Sequence, residues 1–151
     1  MSRSKGRTDG IHVTVEGLVD AVDGVLGMFE ADAIVAVDQA TLDVAEVTRD
    51  EIKAEAKRLF KGKKYWKSWT IAKEYLERGT IRTVYSRAPY YRLTHLLENG
   101  HATVGTKATK PYVAGRKHIA PAADKAEQRL MDAIKKRIEE ASENRKRWGS
   151  I

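Results

Sequence analysis

The stretch YYRLTHLLENGHATVGTKATKPYVAGRKHIAPA, Tyr90 to Ala122, decides how the chain is read. Its first ten residues, Tyr90 to Asn99, predict a short helix with Leu93, Leu96 and Leu97 as the apolar face. Asn99-Gly100 is a left-handed stop, because glycine takes positive φ without a Cβ penalty. His101 to Val104 and Pro111 to Ile119 then read as two strands of a sheet edge, joined by the basic loop Gly105 to Lys110. Pro121 suits the first turn of a final helix, with Asp124 near the positive end of the helix dipole. Tyr91, Leu93, His95, Leu97, Gly100, His118 and Pro121 are the expected turn and anchor residues.

Upstream, Ile11 to Glu16 alternates β-branched and polar residues and predicts a short strand. Three glycines in GLVDAVDGVLG, Gly17 to Gly27, argue against a rigid helix there. From Met28 to Lys61 apolar residues recur at helical spacing, as Phe29, Ala33, Val37, Ala40, Val44, Ile52, Ala56 and Leu59, opposite an acidic face, with a bend allowed near Val47 to Asp50. Gly62 breaks this helix. A hairpin follows, with one strand over Trp66 to Leu76 and the other over Thr80 to Arg87, closed by Ala88-Pro89 because proline cannot donate to a ladder. Downstream, Ala126, Leu130, Ile134, Ile138 and Ala141 carry a second long amphipathic helix to about Ser142. The expected fold is α+β: a long N-terminal helix and a C-terminal helix on a small, mainly antiparallel sheet with a basic loop excursion. Residues 1–10 read as a flexible basic tail, 11–142 as one domain and 143–151 as a basic C-terminal tail.

Composition narrows the function. With 151 residues and 42% hydrophobic content the chain can bury one core. It has no cysteine, which excludes disulfides, thiolate metal sites and a cysteine nucleophile. No run approaches the ~18 apolar residues of a membrane span, and MSRSKGRTDG lacks the apolar core of a leader. The net charge of +7 is unevenly spread. Thr8 to Phe60 holds 4 Lys and Arg against 12 Asp and Glu, whereas Lys61 to Ile151 holds 21 against 9. Such a chain can bind an acidic partner through its second half, pack head to tail with its own copies, or simply carry two solvated surfaces.

Candidate chemistry is thin. GHATVGTK, Gly100 to Lys107, approaches a P-loop but sets Thr106 before Lys107, follows a helix and runs into Pro111, so lysine and hydroxyl are in the wrong order for phosphate and magnesium. His95, His101 and His118 have no i, i+4 pair for a shared metal and suit turns better. His95 and Glu98, three apart, allow a general acid–base pair of the kind a small ribonuclease uses. Arg78, Arg82, Arg87 and Arg92 interleaved with Tyr85, Tyr90 and Tyr91 allow a small basic nucleic-acid-binding module.

Three blocks in fixed order, KYWKSW (Lys64 to Trp69), YYRLTHLLENGH (Tyr90 to His101) and RKHIAPAADKAE (Arg116 to Glu127), resemble the tail-completion, or head–tail joining, proteins of long-tailed bacteriophages and prophages, also labelled minor capsid or neck proteins. The resemblance spans roughly Val15 to Ile138. The chain departs from the family where a Ser-Pro…Thr-Gly segment is reduced to Lys61-Gly62-Lys63-Lys64, and Thr103 to Lys117 is variable in such proteins. The resemblance implies no catalysis and no cofactor. It implies a homo-oligomeric ring at the head–tail junction of the virion, assembled in the host cytoplasm. The partners it implies are the tail tube or terminator and the neck or connector proteins, with nonspecific contact to passing DNA and none to membrane. Lys107, Lys110, Tyr112, Arg116 and Lys117 are then the expected inter-subunit or lumen contacts.

Overall fold

The computed structural model describes residues 15–61, 64–77, 79–104 and 111–149. It is α+β, as the patterning predicts. Helix α1 (Val15–Leu59) leads through a 3₁₀ turn (Lys64–Ser68) into strands β1 (Trp69–Leu76) and β2 (Gly79–Ser86). A second 3₁₀ turn (Tyr90–Leu93) and helix α2 (Thr94–Asn99) follow. Strands β3 (Gly100–Ala102) and β4 (Tyr112–Ala114) and helix α3 (Ala120–Trp148) complete the order. The strands form two separate antiparallel pairs, β1 with β2 and β3 with β4.

Helix α1 is longer than its sequence suggests. Residues 11–14 of the expected strand lie outside the described residues, and Val15 and Glu16 are already helical. The helix runs through Gly24 and Gly27 without interruption. Each glycine costs a helix interior about 1 kcal/mol relative to alanine, which weakens a helix but does not end one when no proline or competing contact intervenes. At 1.5 Å per residue its 45 residues extend roughly 68 Å.

The buried line on α1 is Ala36, Ala40, Ala45, Thr48, Ile52 and Ala56, while Phe29 and Val37 of the expected stripe are exposed. Small residues there let α3 and the β1–β2 hairpin approach closely. Helix α3 lies antiparallel along α1, and three ion pairs fix the register: Asp32–Arg145, Asp43–Arg137 at 2.6 Å and Glu51–Arg129 at 2.6 Å. Much of the acidic face of α1 is therefore used inside the chain. Helix α3 also continues past Ser142 to Trp148, so residues 143–148 are helix where a tail is expected. Arg145 helps to hold this last turn, since it also stacks on Phe29 with 5.1 Å between guanidinium and ring centre.

In the hairpin, Trp69 faces Ser86, Ile71 faces Val84 and Lys73 faces Arg82. The strand is shorter than expected at its start, because Trp66 to Ser68 turn as 3₁₀ and Ser68 Oγ bonds the Tyr65 carbonyl at 2.6 Å. Arg82 points inward, its side chain 8% exposed, and donates to Asp38 at 2.9 Å. Asp38 also accepts from Thr80 Oγ1 and sits 3.6 Å from Lys73 Nζ. Those partners, the Thr80 hydrogen bond foremost, hold its carboxyl below the usual range against the opposing effect of burial.

The core sits where α1 ends. Ile52, Ala56, Tyr65, Trp69 and Ala122 are its buried centre, with Phe60, Val84, Tyr90, Leu97 and Ile119 packed around it. Among the described residues no helix is long and apolar enough to cross a membrane.

Candidate functional site

Helix α3 begins without a capping residue of its own. Its N-cap, Ile119, has no side-chain oxygen to offer, so the first backbone N–H groups need acceptors from elsewhere. Glu98 supplies them. One carboxylate oxygen accepts the N–H of His118 at 2.8 Å and of Ile119 at 3.0 Å, and the other accepts Ala120 N–H at 2.9 Å. Pro121 has no donor, and Ala122 and Ala123 bond the Ile119 carbonyl at 3.1 and 2.9 Å, so every donor of the first turn is accounted for. Burial works to raise the Glu98 carboxyl, but the three N–H groups and nearby His118 outweigh it and leave the pKa below the usual range. Asp124, expected near the dipole, lies beyond the first turn and is exposed.

His118 is the hub of this region and is 1% exposed. Its Nδ1 lies 2.9 Å from both the Arg116 carbonyl and a Glu98 oxygen, and its Nε2 is 2.8 Å from the Tyr65 hydroxyl. Those partners assign the tautomer: Nδ1–H donates, and Nε2 accepts from the phenol. Burial, with the Glu98 charge adding to it, drives the Tyr65 phenol far above its ordinary pKa, so it stays protonated as the donor. Phe60, Tyr65 and Trp69 pack edge-on around the imidazole at 5.1, 5.6 and 6.3 Å between ring centres. Both ring nitrogens are thus committed inside the protein. The cluster staples three elements: the turn after α1, α2 and the start of α3.

Glycines make the staple possible. Gly100 has φ +83°, and a Cβ there would come 2.5 Å from the Val113 carbonyl. Gly115, which sequence reading passes over, is as tight: a Cβ would lie 2.5 Å from the Glu98 carbonyl and from Gly100 N. The two backbones meet at this point, and Arg116 N–H then bonds the Leu97 carbonyl at 2.7 Å.

The other expected residues separate into groups. Tyr91, Leu93 and His95 are exposed rather than anchoring, whereas Leu97 packs on the core and Pro121 takes the second position of α3. His95 and Glu98 make no catalytic pair, because the carboxylate is buried and occupied by backbone while the imidazole faces solvent. Among the described residues no group of three or more His, Asp or Glu is placed to hold a metal. Lys107 and Lys110, like Arg78, lie outside the described residues. Tyr112, Arg116 and Lys117 gather at one end of the molecule. The Tyr112 hydroxyl donates to the Asn99 carbonyl at 2.9 Å, Lys117 Nζ to Asn99 Oδ1 at 2.7 Å, and Arg116 Nη1 to the Leu59 carbonyl at 3.1 Å. Lys57 and Lys67 flank the Trp66 ring at 5.0 and 5.2 Å, and Arg92 stacks on Tyr91 at 5.6 Å. This end is basic and aromatic. The first half of α1 carries no Lys or Arg of its own, but the basic last turn of α3, Arg145 to Arg147, lies beside it at the opposite end.

What these features could have revealed beforehand is limited. The one signal for Glu98 is the missing cap in HIAPA, which demands an acceptor from elsewhere in the chain. Compared with known proteins, the chain matches no family model, no curated protein and no solved structure.

Proposed function

We propose that this protein is a non-catalytic structural subunit of the head–tail junction of a long-tailed phage, completing the tail and joining it to the filled head as part of a homo-oligomeric ring. The resemblance of its Tyr90 to Ala122 region to tail-completion proteins supplies the biological setting. The observation that carries the reading is the two-ended body: a helical end with exposed apolar Val22, Val25 and Leu26, and a basic, aromatic end some tens of ångströms away. Two unlike surfaces at opposite ends suit a subunit that stacks between two different neighbours.

A joining assay tests it. Disrupting the gene in the phage or prophage that carries it should yield filled heads and free tails, and adding the purified protein to that lysate should restore infectious particles. Normal particle yield from the disrupted phage would refute the assignment.

A second reading, a module for single-stranded nucleic acid, draws on the lysines stacked at Trp66 and the arginine stacked at Tyr91. Arg82, one of the residues that suggested it, is spent on Asp38 inside the fold. Binding to short DNA and RNA at two salt concentrations separates the readings. Preference for one strand surviving at ~200 mM salt would favour the nucleic-acid module.

A further inference from the structure

Strand β2 pairs with β1 alone among the described residues. Arg87 N–H bonds the Ser68 carbonyl at 3.0 Å, and these residues stand opposite each other when the register is carried one step past Trp69–Ser86. Directly opposed residues of an antiparallel ladder alternate between bonded and non-bonded pairs. The bonded set therefore continues as Thr70–Tyr85, Ala72–Thr83 and Glu74–Ile81. The main-chain N–H and C=O groups of Thr80, Arg82 and Val84 point the other way, along the outer edge of β2, about 7 Å apart. Such edges are commonly blunted by lysine, proline or a bulge. This one is not: its register is unbroken, GTIRTVYS holds no Lys or Pro, and its one arginine turns inward to Asp38.

The edge opens on a groove. Strand β2 forms one wall, Ala126 and Leu130 of α3 the other, and Val44, Ala45 and Thr48 of α1 the floor, around a volume of about 480 Å³. No described residue of β1 lines it, so it lies on the unpaired side of β2. Two buried polar atoms of its lining residues lack partners. Thr41 returns its hydroxyl to the Asp38 carbonyl at 2.8 Å, a common outlet for a helical threonine. Thr48, 6% exposed, makes no such bond, and its Oγ1 has no partner among the described residues. The Arg82 side chain, 8% exposed, gives Nη2 to Asp38 and leaves Nε without an acceptor. Buried polar groups are ordinarily paired, and these two belong to the floor and one wall of the same groove. Its charge is one-sided as well. Arg82 is matched by Asp38, whereas Glu127 on the α3 rim is exposed and has no ion pair among the described residues.

We propose that the groove between β2 and α3 takes an extended segment of a partner protein as a third strand of the β1–β2 sheet. Extended main chain is the ligand whose donors and acceptors repeat at the spacing of the free edge. Its inward side chains meet Val44, Ala45 and Leu130, which suits small or β-branched residues. A Lys or Arg at its rim answers Glu127. A second copy's β2 cannot enter, because its own α3 lies beside that edge. The site stands on this geometry and is independent of the head–tail assignment.

The test adds the end-blocked peptide Lys-Val-Thr-Val-Thr-Val-Lys to the full-length protein, followed by amide exchange in NMR and by fluorescence anisotropy. Exchange at Thr80, Arg82 and Val84 should slow by about 10-fold. Ile81, Thr83 and Tyr85, already bonded to β1, should be unchanged. Of two N-methylated peptides, one blocked at the valines and one at the threonines, one should bind about 10-fold more weakly and the other as before, since every second N–H faces β2. Glu127→Lys should weaken the lysine peptide about 5-fold with the unfolding midpoint unchanged, and glutamates in place of the lysines should restore binding. No binding at ~1 mM peptide, equal slowing at all six amides, N-methylated forms that bind alike, or a Glu127→Lys protein that binds like wild type overturns the proposal. So do edge amides that are already slow in concentrated protein and quicken on dilution, because a second copy then fills the groove.

Discussion

Glu98→Gln is the most incisive single substitution. The carboxylate accepts three backbone N–H groups at 2.8, 3.0 and 2.9 Å and lies 2.9 Å from His118 Nδ1. The glutamine carbonyl can keep the two bonds from His118 and Ile119. Its NH₂ group must then face Ala120 N–H, donor against donor. A buried donor left without a partner costs about 1–3 kcal/mol, and removing the negative charge from a helix N-terminus costs up to ~2 kcal/mol in a partly buried setting. Together these give a loss of about 3 kcal/mol, a large share of the roughly 5–15 kcal/mol that holds a domain together. In urea the midpoint should fall by on the order of 1–2 M with the slope unchanged. The pH dependence supplies a second axis. Because the folded Glu98 pKa is depressed, its contribution is complete above the ordinary carboxylate value and is lost as pH falls through the lower folded value. The gap between wild type and variant should therefore be widest at neutral pH and shrink below about pH 4. A gap under ~0.5 kcal/mol at pH 7, or one that grows on acidification, would refute the cap.

Other expectations follow from neighbouring features. Gly115→Ala places a methyl 2.5 Å from the Glu98 carbonyl and the Gly100 nitrogen, and overpacking of this kind should cost about 1–3 kcal/mol in urea unfolding. Gly24→Ala and Gly27→Ala meet nothing within 4 Å. Each should stabilise the first turns of α1 by roughly 0.5–1 kcal/mol, visible as slower amide exchange there; no change would mean that these turns are held by something other than helix propensity. Asp38→Asn removes the negative charge that Arg82 and Lys73 face, so exchange at the β2 amides should quicken while α3 amides are unaffected. Since the folded Asp38 pKa is lowered, acidifying wild type below the carboxylate range should reproduce that loosening.

The local features were legible because they depend on near neighbours in the sequence. Period-two patterning set out the hairpin, and Trp69, Ile71 and Val84 lie where alternation puts them. Period-three-and-four spacing marked both long helices, and Asn99-Gly100 marked the end of α2. The same local rules misjudged the glycines of α1, because a propensity penalty lowers helix stability without specifying an alternative. They misjudged Leu93 too, since on a two-turn helix the inward direction is set by what the helix packs against, and here Glu98 takes that place.

The sequence by itself determined the class of fold, the long acidic-faced helix, the hairpin and the separation of charge along the chain, all of which follow from spacing over a few turns or strands. Only the tertiary structure decided where that charge is spent. Asp43 meets Arg137 across 94 residues, His118 meets Tyr65 across 53, and Glu98 finds the start of α3 about 20 residues on. Such pairings depend on which surfaces packing brings together, and no local period encodes them. The histidine that looked like a ligand is a buried staple for that reason, and the apolar turns at the start of α1 and the basic, aromatic surface at the other end are recognised as exposed only once the rest of the chain has been packed.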